Sequence, residues 1–142
     1  MARRSYTLGS PYLIVVDAAK LTQFLKDAFG AKQIDHVSGA YGVVRNAELK
    51  IGDTVVIVSE APDRGSALAS AVHLYVTDTD ATFARAVEAG ATPLREPQDQ
   101  FYGERVAAVL DPCGNQWWIA TRFEKVAAKE LKKRIADLQL PE

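Results

Sequence analysis

The side chains that ordinarily titrate near neutral pH are few and scattered in this sequence. Its 142 residues include two histidines and one cysteine. His73 lies in the apolar stretch "AVHLYV". An imidazole there can act as a general base or contact a ligand, because its ordinary pKa is near neutrality. The alternative is a hydrogen-bonded structural histidine beside the core. Glu48, in "RNAELK", can complete an acid–base pair with His73 or join it in a shifted, partial metal site. Two donors are too few for a firm divalent site, and a solvated strand carboxylate is the other reading. Tyr12, Tyr75, Tyr102 and Trp118 can wall a flat organic ligand or fill the same space themselves. Arg105 carries the planar fork that pairs with a carboxylate or phosphoryl group, or is an ordinary surface arginine. Cys113 has no histidine close in sequence, and a catalytic thiolate needs an electropositive setting, so it reads as a turn residue. His36, beside a Ser-Gly turn, is expected to be exposed.

These groups need elements to position them, and the chain supplies the same series of elements twice. "PYLIVVDAAKLTQFLKDAFGAK" reads as strand, Asp17 cap, helix and glycine stop. Leu21, Phe24, Leu25 and Ala28 fall on one helical face, and Gly30 ends the helix. "QIDHVSGAYGVVRNAELKIGDTVVIVSE" reads as strands broken by turns. The order returns in "AVHLYVTDTDATFARAVEAGAT", with Asp78 as cap and Phe83, Ala86, Val87 and Gly90 as the stripe. "ERVAAVLDPCGNQWWIATR" then gives strand, glycine turn and strand. Matching Asp17 with Asp78 aligns Leu13 with Leu74, and matching Gly52 with Gly114 aligns Val55 with Trp117. Residues 59–70 form a Gly/Pro/Ser/Ala-rich connection. Val126, Leu131, Ile135 and Leu138 are spaced for an amphipathic C-terminal helix.

The totals narrow the classes of function. A formal net charge of −1, from 17 basic and 18 acidic residues, gives no reason to expect a nucleic-acid partner. Two arginines precede "YLIVV", but this run is far short of the roughly 20 apolar residues of a membrane span. Arg3 and Arg4 read as a solvated tail. One cysteine allows no internal disulfide and fits a cytoplasmic protein without membrane partners.

Two such modules, with "DPCGNQWWIAT" closing the second, resemble the vicinal oxygen chelate superfamily. The resemblance is to its glyoxalase/bleomycin-resistance/dioxygenase branch. It rests on "PYLIVVDA…FLKDAFGAK", "NAELKIGDTVVIVSE", "HLYVTDTDATFARAVEAGAT", "QDQFYGERVAAVLDPCGNQWWIAT" and "KELKKRI", which together span nearly the whole chain. It implies an α+β fold: two β-α-β-β-β modules, about residues 10–60 and 71–122, curling into a mixed sheet around a central cup. A C-terminal helix at about 124–138 completes a single domain over 1–142. The resemblance also implies pairing of subunits, hence a homodimer. In metal enzymes of the family, four inward positions on the first and last strands of each module hold a divalent ion.

Alternation along the strands assigns the faces. Val72, Leu74 and Val76 should cover a helix, which turns Ala71, His73 and Tyr75 to the cup. Leu13 and Val15 match them, leaving Ser10, Tyr12 and Ile14 inward. On the last strands, Val55, Ile57, Trp117 and Ile119 read as helix side. Thr54, Val56, Val58 and Glu60, and Gln116, Trp118, Ala120 and Arg122, read as cup side. The family's ligand positions then fall on Ser10, Val56, Ala71 and Trp118, which offer no imidazole or carboxylate. The segment 96–106 is expected to form a loop near the cup mouth, hinged at Gly103, with Tyr102 and Arg105 closing over a ligand. The expected function is metal-free and cofactor-free binding of an aromatic or apolar small molecule by Tyr12, Val56, His73, Tyr75, Tyr102, Arg105 and Trp118. The alternative is a glyoxalase-related lyase or isomerase using His73 and Glu48, which leaves room for an atypical divalent metal.

Overall fold

The structure is a computed structural model that describes residues 8–38 and 44–138, without the side chains of residues 36–38 and 44. The solvated Arg3 and Arg4 and the exposed His36 expected above lie outside that description. The first module runs β1 (Tyr12–Val15), α1 (Ala18–Phe29), β2 (Lys32–Ser38), β3 (Val44–Ile51) and β4 (Thr54–Glu60). The second runs β5 (Ala71–Tyr75), α2 (Thr79–Glu88), β6 (Thr92–Asp99), β7 (Glu104–Leu110) and β8 (Gln116–Arg122), followed by α3 (Ala128–Asp137). Each module is one four-stranded mixed sheet, ordered β1-β4-β3-β2 and β5-β8-β7-β6. Both are unclosed, and the architecture is the expected α+β pair of modules. No described helix is long and apolar enough to cross a membrane.

The helices form where the sequence placed them, for the reasons it gave. The Asp17 and Asp78 side chains accept backbone N–H bonds from Lys20 and Ala81, and Gly30 closes α1 in the left-handed region at φ 67°. Leu21, Leu25 and Ala28 are fully buried and Phe24 nearly so. Phe83 and Ala86 bury the matching stripe of α2, while Val87 is half-buried. The helix-bearing faces of both sheets meet in one core, where α1 packs on α2 and the Phe29 ring lies 5.0 Å from that of Trp117. The opposite, open faces of the two sheets therefore point away from this core.

Strand pairing corrects the face assignment in β4. β1 pairs in parallel with β4 so that Tyr12 faces Ile57 and Leu13 faces Val58. Leu13 belongs to the core, so Val58 and Val56 do too; both are fully buried there. Ile57 and Val55 lie on the Tyr12 side. The expected order was inverted because Gly52 was matched with Gly114. The β3–β4 hairpin closes with Ile51 opposite Thr54, whereas β7 and β8 enclose the longer turn between Leu110 and Gln116. Aligning the two glycines slips the strand by one residue, and one residue turns every side chain over.

Glu60 moves with this correction. It is no cup residue: its carboxylate accepts from the backbone N–H groups of Asp17 at 2.9 Å and Ala18 at 2.8 Å. A carboxylate from a neighbouring strand thus satisfies the first amides of α1 and meets the positive end of its dipole. Glu60→Ala is expected to cost about 1–2 kcal/mol, read as a lower urea midpoint at unchanged slope.

Candidate functional site

The open face of the second sheet brings together three of the side chains singled out in the sequence, His73, Tyr75 and Trp118. Residues paired across strands share a face. One row reads His73, Trp118, Ala108 and Arg95 from β5 through β8 and β7 to β6, and the next begins Tyr75, Ala120 and Val106. The small residues on the central strands are decisive. Across Ala108, the Arg95 guanidinium reaches over the Trp118 indole, 5.6 Å from its centroid. Across Ala120, Tyr75 extends to β7, where its hydroxyl donates to Glu104 Oε2 at 2.8 Å. Ala108 and Ala120 are fully buried, consistent with side chains from neighbouring strands lying across them.

Glu104 is only 6% exposed, yet it has two partners: the Tyr75 hydroxyl and Arg122, whose Nη2 is 3.5 Å from Oε2. The carboxylate beside it pushes the Tyr75 phenol above its ordinary pKa, so the phenol remains a donor. The His73 ring meets Tyr75 edge-on at 4.7 Å. Trp118 is half-buried, and its indole N–H donates to Gln116 Oε1 at 3.0 Å. His73, Tyr75 and Trp118 thus come together on one face. Arg95 and Glu104 were missed by the sequence reading. Arg95 becomes visible once β6 is recognised as a strand and its alternation is counted from Ala108.

The remaining candidates lie elsewhere. Tyr12 is 51% exposed on the open face of the first sheet, and Glu48 shares that face because it pairs with Ile57. Glu48 and His73 stand on different sheets. Val56 is fully buried on the helix-bearing face and cannot touch a ligand on the open one. Arg105 also lies off the open face. Its guanidinium is held by Asp80 at 2.6 Å and Asp99 at 3.0 Å, in a cleft of about 350 Å³ at the start of α2 lined also by Thr79 and Phe123. Arg105 holds the Asp80 carboxyl below its usual range.

The expected loop over 96–106 is mostly strand, with a turn at 100–103. The turn is clamped and does not have the form of a hinge. The Gly103 carbonyl accepts from the Phe123 and Glu124 amides, and Arg134 of α3 donates to the Phe101 carbonyl at 3.0 Å. Gly103 sits at φ 87°, and a Cβ there would collide with the Glu124 carbonyl oxygen. Tyr102 belongs to this turn, edge-on to Phe101 at 5.2 Å.

Cys113 has no electropositive setting. Partial burial first, then the nearby Asp111 and Asp17 carboxylates, push its thiol up to about 11. At pH 8 the thiolate fraction is then about 0.1%, against about a quarter for an ordinary cysteine near 8.5. Iodoacetamide is expected to label the folded protein far more slowly than the urea-unfolded chain at that pH. Equal rates would remove this account.

The family's four ligand positions can now be tested on corrected strand register. They fall on Ser10, Ile57, Ala71 and Trp118, since Ile57 matches Trp118 when both modules share the offset that aligns Leu13 with Leu74. None carries an imidazole, thiolate or carboxylate, so this set does not fit the family's metal. Among the described residues, no group of three or more His, Cys, Asp and Glu could hold an ion.

Comparison with known proteins agrees with the fold. An uncharacterized protein of Mycobacterium bovis, Mb0911c, is 35% identical over 134 residues, covering 87% of this chain and 88% of its own. The crystal structure of TioX from Micromonospora sp. ML1 is 27% identical with a TM-score of 0.70, covering 81% of this chain and all of that one. FosX from Mesorhizobium loti, a fosfomycin resistance protein, shares the fold at 17% identity and a TM-score of 0.61, over 92% of this chain and 98% of its own. The profile of the Glyoxalase/Bleomycin resistance protein/Dioxygenase superfamily matches residues 7–119, and the chain belongs to that superfamily.

Proposed function

We propose that the protein binds an aromatic or otherwise apolar small molecule on the open face of the second sheet, without the family's usual metal, and acts as a cytoplasmic homodimer. Trp118 supports this reading most. A half-buried indole stands where metal-using relatives place a donor, and it offers a stacking surface in place of a coordination bond. A ligand lying on one sheet face still needs an opposite wall. Tyr12 and Tyr75 are 51% and 62% exposed on the two open faces, whereas the helix-bearing faces are closed on each other. Pairing two copies through open faces turns each face into one wall of a cleft.

The test combines metal analysis of protein purified without chelator, titration with Zn, Ni, Mn and Fe(II), and a thermal-shift screen of aromatic metabolites and antibiotics. The expected outcome is substoichiometric metal and a ligand-induced stabilisation lost in Trp118→Ala. Light scattering should give twice the chain mass of 15.5 kDa. Stoichiometric metal that disappears in His73→Ala would overturn the reading in favour of a glyoxalase-like lyase or isomerase using His73 and Glu48.

A further inference from the structure

Resting on that binding reading, we infer that the ligand is an anion: a planar aromatic molecule whose carboxylate, or an equivalent oxyanion, is taken by Arg95 while its ring lies on Trp118. The charges of the face decide its sign. Glu104 is nearly buried and already engaged by Tyr75 and Arg122, so it cannot recruit a cationic ligand without giving up those partners. Arg95 is different: among the described residues its guanidinium has no carboxylate partner and no hydrogen bond, only the indole beneath it. The exposed guanidinium fork of Arg95 matches a carboxylate bidentately.

The surroundings fit the same molecule. Ala108 is what lets Arg95 cross from β6 to Trp118, so the guanidinium is placed by the sheet and not by a flexible loop. One neighbouring polar side chain on this face, Gln116, is a neutral amide already bonded to the Trp118 indole N–H. Arg105, the arginine marked in the sequence for this task, is neutralised by Asp80 and Asp99. Arg122, the other arginine of this face, stands beside the Glu104 carboxylate and the Tyr75 ring, so recognition of an anion falls to Arg95.

Calorimetric titration of the intact protein with three probes of one shape tests this: 2-naphthoate, 2-naphthylmethanol and 2-naphthylmethylammonium. The naphthoate is expected to bind at least about tenfold more tightly than the neutral alcohol, and the ammonium most weakly. Raising NaCl from about 50 to about 500 mM should weaken only the naphthoate advantage. Arg95→Gln should abolish the gap between acid and alcohol, read as the ratio of the two affinities within that one variant. Arg95→Lys, which keeps the charge but loses the fork, should retain only part of it. Arg85→Gln, the same charge change on the remote α2, should retain all of it. Equal binding of acid and alcohol, preference for the ammonium, or an unaltered gap in Arg95→Gln would overturn the anion inference alone. Failure of all three probes to bind would remove the aromatic-binding reading and this inference together.

Discussion

Trp117→Ala is expected to destabilise the protein by about 3–5 kcal/mol, while Trp118→Ala costs about 1 kcal/mol. The two indoles are adjacent in sequence and opposite in environment. Trp117 is fully buried on the helix-bearing face of β8, pairs with Val72 and Val109, and touches Phe29 from α1. It therefore fills the core of its own sheet and couples the first module to the second. Its removal leaves a large void between elements that cannot all collapse inward, and it also leaves the Asp111 carboxylate without its indole donor. Trp118 is half-buried on the open face and loses mainly its contacts with Arg95 and the Gln116 amide. With a urea slope of roughly 2 kcal/mol per molar, the midpoint of Trp117→Ala should fall by about 2 M and that of Trp118→Ala by well under 1 M. Ligand binding should follow the reverse order, lost in Trp118→Ala and retained by whatever fraction of Trp117→Ala is folded. Equal midpoints would show that the faces of β8 are wrongly assigned.

The faces of β8 were legible in the sequence; those of β4 were not. In β5 and β8 the apolar residues alternate with His73, Tyr75, Gln116 and Arg122, so polarity marks the open side. In β4, "TVVIV" is apolar on both faces, and alternation carries no signal. The assignment then depended on matching turns of unequal length, and the slip misplaced Val56 and Glu60. The helices, caps and repeat survived because they rest on local chemistry: Asp17, Asp78 and Gly30 act within a turn of where they stand. Long-range partners were invisible. Nothing in "GERV" says that Arg105 meets Asp80 from α2, or that Glu104 meets Tyr75 across Ala120. The candidates that do share the open face of the second sheet are those whose face follows from their own strand. Arg95 was missed because its place over Trp118 appears only when three strands are laid side by side.

Asp111→Ala is expected to cost about 2–4 kcal/mol, although the residue lies in a turn outside the strands. Its carboxylate is nearly buried and organises the whole "DPCGN" stretch. One oxygen accepts from the Cys113 amide at 2.7 Å and the Asn115 amide at 3.1 Å; the other accepts from the Trp117 indole N–H at 2.8 Å. The turn is thereby tied to the core side of the strand that follows it. Asn115, fully buried, extends the tie by accepting from the Ser70 amide at 2.9 Å, just ahead of β5. Alanine leaves buried donors unsatisfied, and each of these costs more than an average hydrogen bond is worth. Asparagine separates this account from one of shape alone. Its carbonyl can still take the turn amides, but its NH₂ group then faces the Trp117 N–H, donor against donor. Asp111→Asn should therefore recover only part of the loss, and Asp111→Asn combined with Trp117→Phe should lose less than the two single changes added together. Full recovery in Asp111→Asn alone would mean that the bond to Trp117 contributes nothing. The motif that identifies the fold would then be held by its turn amides and not by its link to the core.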